Sequence, residues 1–327
     1  MWQALAIPVI YVAMGAGFVT LFKLNPFDYL QTILLLSSLF LSVALFANVQ
    51  GIDGEFIKKY KSRSITIVSV GLVFKAAALG LLAYLITKDL RVVLVATLMS
   101  QIDPSFTNWA QRMFKIKGRV AQLTLVESTF DDPISTLLTI YIALPISLAG
   151  KISLDFYFFL LLLNLVFVGL FLYAKHKTKI HNSFLPSALV VLGGIFNVFL
   201  GVALSGLFFR VKKVIFDEPI NLITYASYFI IGVFLPSAGI DLWKGLVVAL
   251  LLVYVVRPFE ALLFFRGFSW VEKAVIATAE QKGITTLLLL LIVQPQLNVL
   301  PIVLPAMLIV NGLFFVNHYG LKTVSGR

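Results

Sequence analysis

Carboxylates and hydroxyls are concentrated in one stretch, from Glu127 to Pro133, which reads Glu-Ser-Thr-Phe-Asp-Asp-Pro and lies inside a long apolar run. On a helix, Glu127 and Asp131 share one face, and Ser128 and Asp132 share the neighbouring face. Adjacent buried carboxylates repel each other, so this pair of aspartates is suited to hold either a proton or a hard cation, whose preferred ligands are carboxylate and hydroxyl oxygens. The alternative is that the acids form salt bridges that only fix helix packing.

Two other apolar runs are interrupted by a charged residue beside a helix breaker. Asp103-Pro104 interrupts the fourth run, and Lys282-Gly283 interrupts the tenth. Proline removes a backbone donor and favours a break in a helix. We expect Asp103 to face the positive N-terminal end of a half-helix and Lys282 to compensate the charge at the opposite end. The alternative is that both residues mark helix ends near the membrane interface.

Three more ionisable residues that lie inside apolar runs are Lys75, Arg257 and Glu260. Such residues are costly in hydrocarbon, so each is a candidate for function. A buried arginine requires a carboxylate, and Glu127 and Asp131 are the candidate partners of Arg257. Lys75 lies in the middle of the third run, and we predict that it pairs with Glu260. The sequence contains no spacing typical of metal ligands.

The composition places these residues in a membrane. Of 327 residues, 60% are hydrophobic and 13% are charged, whereas about a quarter of a soluble domain is charged. We predict an all-α polytopic membrane protein, with a single transmembrane domain over 1–327 and about 12 crossings of ~20 residues, of which eleven are visible as apolar runs. The net charge of +11 indicates basic loops on the cytoplasmic leaflet and not nucleic-acid binding.

Basic loops set the predicted orientation. Lysines and arginines follow the second, fourth and sixth apolar runs, so these loops and the N-terminus are predicted to be cytoplasmic. The basic residues after the seventh run are also cytoplasmic only if 184–209 forms a re-entrant hairpin or two short helices. The loop residues in question are Lys58, Lys59, Lys61, Arg63, Arg112, Lys115, Lys117, Arg119, Lys175, Lys177, Lys179, Arg210, Lys212 and Lys213.

An inverted internal repeat is predicted because three features recur in the same order. Repeat one covers about 1–147, a linker helix about 153–174, and repeat two about 184–317. Inverted repeats with two interrupted, crossing helices are the architecture of secondary transporters. The matched features are Gly51-Ile52-Asp53 with Gly239-Ile240-Asp241, Asp103-Pro104 with Lys282-Gly283, and Asp132 with Asn311.

These motifs resemble those of the cation/proton antiporter superfamily, the sodium/proton exchangers. The stretch that contains Asp131 and Asp132 is similar to the acidic ion-site helix of the family, and Asp103-Pro104 is similar to the Asp-Pro of its first interrupted helix. The resemblance implies that Asp132 is the obligatory carrier of cation and proton, that Asp131 is its variable partner, and that Ser128 contributes to the ion shell.

The resemblance also implies roles for the other charged residues. Glu127 and Arg257 would form a structural ion pair, and Asp103 would organise the crossed half-helices. Lys282 falls in the second interrupted helix, where relatives often carry Arg-Gly or glycine-rich variants.

The function implied by the resemblance is exchange of sodium for protons by alternating access at a buried aspartate. The partners would be a monovalent cation, the proton and the lipid bilayer of the inner or plasma membrane. We expect a homodimer, no cofactor beyond the transported Na⁺ and H⁺, and no enzymatic activity. Potassium/proton exchange is an alternative because the ligand types do not separate the two ions. A sodium-coupled organic-solute symporter is a second alternative because such folds share interrupted helices.

Overall fold

The computed structural model describes residues 2–50, 70–104, 107–108, 111–112, 116, 118–148, 154–177, 184–206 and 214–325. Every regular element in these ranges is a helix. Long apolar runs favour helices because a helix satisfies its own backbone hydrogen bonds away from water. The first half of the chain contains α1 (Trp2–Phe22), α2 (Leu30–Gln50), α3 (Leu72–Thr87), α4 (Arg91–Met99), α5 (Gly118–Thr136) and α6 (Leu154–Lys177).

The second half of the chain is helical in the same way. Its helices are α7 (Phe184–Ile195), α8 (Phe199–Gly206), α9 (Val214–Ala238), α10 (Leu242–Leu251), α11 (Arg257–Phe264), α12 (Trp270–Thr278), α13 (Ile284–Val293) and α14 (Leu300–Ser325). Four helical segments of the described residues are long and apolar enough to cross a membrane: Pro26–Gln50, Ile220–Ala238, Leu242–Phe264 and Leu300–His318. The predicted class, an all-α polytopic membrane protein, is confirmed.

Two helices widen into π-helical turns just before a proline. α5 continues through Leu137–Ala143 into the short helix Leu144–Ser147, and α10 continues through Leu252–Val256 into α11. Pro145 and Pro258 stand at the start of the segments that follow. A proline cannot donate to the carbonyl four residues earlier, and its ring crowds that carbonyl, so the preceding turn opens. Both long helices therefore remain continuous past their prolines.

The two predicted interruptions are present. The chain leaves the helix over 100–103, after α4, and over 279–283, between α12 and α13. The breaks cross at their backbones, where the Asp103 amide donates to the Gln281 carbonyl at 3.1 Å. The crossing is buried, because Asp103 is 6% exposed and Gln281 is 1% exposed. Irregular backbone at this depth requires such internal partners, since no water is available to satisfy it.

The segment predicted to turn back is described up to residue 206 and contains α7 and α8. Asn197 lies in the turn between them with a φ of 55°, a left-handed conformation for which asparagine is enriched. A Cβ added to Gly193 would lie 2.0 Å from Cγ2 of Val202, so α7 and α8 pack closely side by side.

Both helices of this pair contact α2. At the turn, Gly194 lies against Leu39 in the middle of α2. At the far end of α8, Gly206 lies against the Phe46 carbonyl. Leu185, at the start of α7, packs against the apolar cluster that contains Phe46. The segment therefore contains two short helices joined by a turn, which is one of the two arrangements predicted for 184–209.

Several residues used for the predicted orientation and repeat lie outside the described ranges. They are Gly51-Ile52-Asp53, Lys58, Lys59, Lys61, Arg63, Lys115, Lys117, Lys179, Arg210, Lys212 and Lys213. The cytoplasmic N-terminus and the boundaries of the two repeats and the linker helix stay predictions.

Candidate cation-binding site

Asp132 lies on α5 beside the crossing of the interrupted helices, and its side chain has no exposed surface. Its Oδ2 accepts a hydrogen bond from Nδ2 of Asn48, on α2, and another at 2.9 Å from Oγ1 of Thr285, at the start of α13. With the Gln101 amide oriented to satisfy its neighbours, Gln101 Nε2 donates to Asp132 Oδ1 at 2.9 Å. Three segments that are distant in sequence therefore meet on one carboxylate.

The groups that hydrogen-bond to Asp132 are neutral. No ion pair within the described residues involves this carboxylate. Amide and hydroxyl donors orient a carboxylate and stabilise it in part, but they bring no counter-charge, so a buried carboxylate of this kind remains costly. A proton or a bound cation would remove that cost. Asp132 is thus a buried carboxylate that has no ion-pair partner in the described ranges.

Asp131 has the opposite environment, because successive side chains on a helix point about 100° apart. Lys75 Nζ, from α3, lies 3.4 Å from Asp131 Oδ2 and 3.2 Å from Glu280 Oε1. All three side chains are buried. The predicted pairing of Lys75 with Glu260 is therefore wrong. Glu260 lies on α11, one turn after Arg257, and forms its ion pair with Arg257.

Arg257 forms ion pairs with three glutamates. Both of its terminal nitrogens bond to Glu127, with Nη2 at 2.9 Å from Oε2. Nη1 also donates to Glu260 Oε2 at 2.8 Å, and Nε lies 3.4 Å from Glu280 Oε1. Nε donates a hydrogen bond to the Ile276 carbonyl at 3.1 Å. A planar guanidinium can serve several carboxylates at once because its donors form a fixed fork.

At the crossing of the interrupted helices, each break contributes a charged side chain that contacts the backbone of the other break. Asp103 Oδ2 accepts from the amide of Ile284 at 3.2 Å, so a carboxylate lies at the positive N-terminal end of α13. Lys282 Nζ donates to the Gln101 carbonyl, just beyond the C-terminal end of α4, and to Glu280 Oε2. The compensation of the half-helix ends by these two residues stays a prediction.

The hydroxyls of Ser128 and of Ser135, which lies further along α5, both donate hydrogen bonds to backbone carbonyls. Ser128 Oγ donates to the Leu125 carbonyl of its own helix at 3.0 Å, and Ser135 Oγ donates to the Thr97 carbonyl at 2.8 Å. A hydroxyl that donates keeps its lone pairs as acceptors. The role of Ser128 in an ion shell therefore stays a prediction.

Sequence reasoning missed four residues of this centre, Asn48, Gln101, Thr285 and Glu280. Glu280 was detectable in principle, because it is a carboxylate two residues from Lys282 inside an apolar run. Asn48 and Thr285 gave no such signal, since isolated amides and hydroxyls are common in membrane helices. Asn311, which the repeat matched with Asp132, instead bonds to both backbone groups of Lys282, at 2.7 and 2.9 Å.

The fold and the centre define a class of protein, namely helical membrane proteins in which two interrupted helices cross beside buried carboxylates. Among solved structures, the chain is similar to the sodium proton antiporter MjNhaP1 from Methanocaldococcus jannaschii, determined at pH 8. The TM-score is 0.68 at 14% sequence identity, with 98% of this chain and 90% of that chain covered. No family model and no curated protein sequence matches the chain. The likeness establishes that the chain has the fold of this antiporter over almost its whole length.

Proposed function

We propose that this protein is a secondary transporter of the inner or plasma membrane that exchanges sodium for protons. Cation and proton compete for Asp132, so a single site accounts for both directions of the exchange. The observation that carries the proposal is the environment of Asp132, which is fully buried at the crossing and bonded to neutral groups alone within the described residues. The antiporter fold of the structural neighbour supports it.

Alternating access would expose Asp132 to one side of the membrane at a time. In folds with interrupted helices, the ion site lies at the discontinuity, and one helical bundle moves against another around it. Here Asp103 and Lys282 compensate the half-helix ends, and Arg257 with its three glutamates holds the surrounding helices. These groups keep their partners inside the protein, so their charges need no transported ion. Asp132 is left as the carrier.

The proposal is tested by exchange in proteoliposomes that contain a pH-sensitive dye. Adding sodium to the outside of liposomes with an acidic interior should raise the internal pH, and parallel additions of lithium and potassium identify the transported cation. A response to potassium alone would replace sodium/proton exchange with the potassium alternative. The absence of a response to all three cations would overturn the proposed function.

The matched variants are Asp132→Asn and Asp28→Asn, which remove one carboxylate charge each. Asp132→Asn should abolish exchange because an amide does not take up the exchanged proton and supplies no negative charge to balance a bound cation. Asp28 is exposed and bonds only to Asn25 among the hydrogen bonds of the described residues, so its variant should exchange at the wild-type rate. Undiminished exchange by Asp132→Asn would exclude this residue as the carrier.

A further inference from the structure

The side chains that touch Asp132 share a chemical property. Asn48 and Gln101 carry an amide, and Thr285 carries a hydroxyl. Each of these groups holds both a donor and an acceptor, so it can reverse its role by rotating. A lysine or arginine in the same place could only donate, and it would repel a cation.

A site that alternates between a bare carboxylate and a cation-bound carboxylate needs this reversal. The bare carboxylate only accepts hydrogen bonds, so its neighbours must donate. A bound cation is coordinated by oxygen, so the same neighbours must present oxygen atoms to it. If they could not reverse, one of the two states would leave buried polar groups unpaired, at the cost of a lost hydrogen bond for each group.

We propose that Asn48, Gln101 and Thr285 supply the side-chain oxygens that complete the cation shell of Asp132, by turning from donors into ligands when the ion binds. The inference rests on the proposed function and deepens it. The oxygens concerned are Oδ1 of Asn48, Oε1 of Gln101 and Oγ1 of Thr285. Because they belong to α2, to the break after α4 and to the start of α13, a cation bound there joins three separate segments.

Thr285 offers the sharpest test because its hydroxyl can be removed and restored with little change in shape. Thr285→Val should raise the apparent KM for the transported cation about tenfold, the scale expected when one hydrogen-bonding group is removed from a buried site, with a smaller effect on kcat. Thr285→Ser keeps the hydroxyl and should return KM to near the wild-type value. Thr224→Val is the matched control, because the Thr224 hydroxyl bonds to the Ile220 carbonyl of its own helix, α9.

Asn48→Ala provides a second, independent variant, and it should raise KM by a similar factor. A purely structural role for either residue would lower the amount of folded protein or kcat and leave KM unchanged. Wild-type KM values in both Thr285→Val and Asn48→Ala would overturn the inference while leaving the proposed exchange function intact.

A binding assay separates failure of the inference from failure of the proposed function. The melting temperature of the detergent-purified protein is measured against sodium, potassium and lithium chloride, with choline chloride as the ionic-strength control. The cation that is transported should stabilise the wild-type protein, and Thr285→Val and Asn48→Ala should each need about ten times more of it. Stabilisation of the variants at wild-type concentrations would contradict the inference. No stabilisation and no exchange by the wild type would overturn both proposals.

Discussion

Removing the guanidinium of Arg257 should destabilise the protein by about 3–5 kcal/mol, the cost of breaking a buried ion pair. Arg257→Met keeps much of the side-chain length and deletes the charge. In the described residues, Glu280 would keep its pairs with Lys75 and Lys282, at 3.2 and 2.5 Å. Glu127 and Glu260 have no other ion pair there, so two buried carboxylates lose their counter-charge. The loss should therefore lie towards the upper end of that range.

The chain contains a matched pair for comparison. Arg119 also donates two hydrogen bonds to one carboxylate, from Nε and Nη2 to Glu272 at 2.8 and 2.7 Å, but the Arg119 side chain is 44% exposed. Exposed pairs contribute about 0.2–1 kcal/mol, so Arg119→Met should cost far less than Arg257→Met. The measurement is the free energy of unfolding of each purified variant in detergent. Equal costs for the two arginines would refute the argument from burial.

A double variant checks that the cost comes from the stranded charge. Arg257→Met combined with Glu127→Gln removes both members of the pair, so its cost should be smaller than the sum of the single variants, by about 0.5–3 kcal/mol. Additive costs would show that Arg257 acts through packing and not through Glu127.

Two further predictions concern the crossing and the surface. Gly283→Ala should lower both the exchange rate and the melting temperature, because the added Cβ would lie 2.0 Å from Asp103 Oδ2. Gly312→Ala is the control, since its Cβ would meet no atom within 4 Å, and equal behaviour of the two variants would contradict the buried crossing. At the surface, hydrogen bonds from Arg91 hold the pKa of Asp89 in the folded protein below its usual value of 3.8. The ionised Asp89 therefore stabilises the protein fully above pH 3.8, and this stabilisation is lost as the pH falls towards the pKa of the folded state. The difference in melting temperature between wild type and Asp89→Asn should stay constant from about pH 8 to about pH 5 and shrink below about pH 4. A difference that disappears above pH 6 would contradict this prediction.

The fold was predictable because few local signals determine it. Continuous apolar runs favour helices, which satisfy their own backbone hydrogen bonds. Asp103-Pro104 and Lys282-Gly283 place charged side chains and helix breakers inside such runs, where hydrocarbon tolerates neither without internal partners. The charge of Arg257 demanded a carboxylate, and the structure pairs it with Glu127, one of the two candidates. In each case the penalty for burying a polar group restricts the arrangement so strongly that the residue type alone is informative.

The rest of the site depends on which helices become neighbours, and that information is not local. Lys75 could have met any of several buried acids, and its distance to Asp131 and Glu280 follows from the packing of α3 against α5 and the second break. Asn48 lies on α2, far from Asp132 in sequence, and its amide gives no sign of its partner. Burying a neutral hydrogen-bond donor costs far less than burying a charge, so the sequence does not indicate which partner such a residue has.

The adjacent aspartates show how one helix separates two roles. Asp131 faces α3, where Lys75 gives it a fixed counter-charge from the protein. Asp132 faces α2 and the start of α13, where Asn48 and Thr285 give it orientation without charge. A mobile cation gains most beside the carboxylate that lacks a fixed partner, since beside the other it would have to displace a lysine or be repelled by it. The turn of about 100° between successive residues thus gives the two aspartates different environments, and under the proposed function it would direct the cation to Asp132 and away from its neighbour.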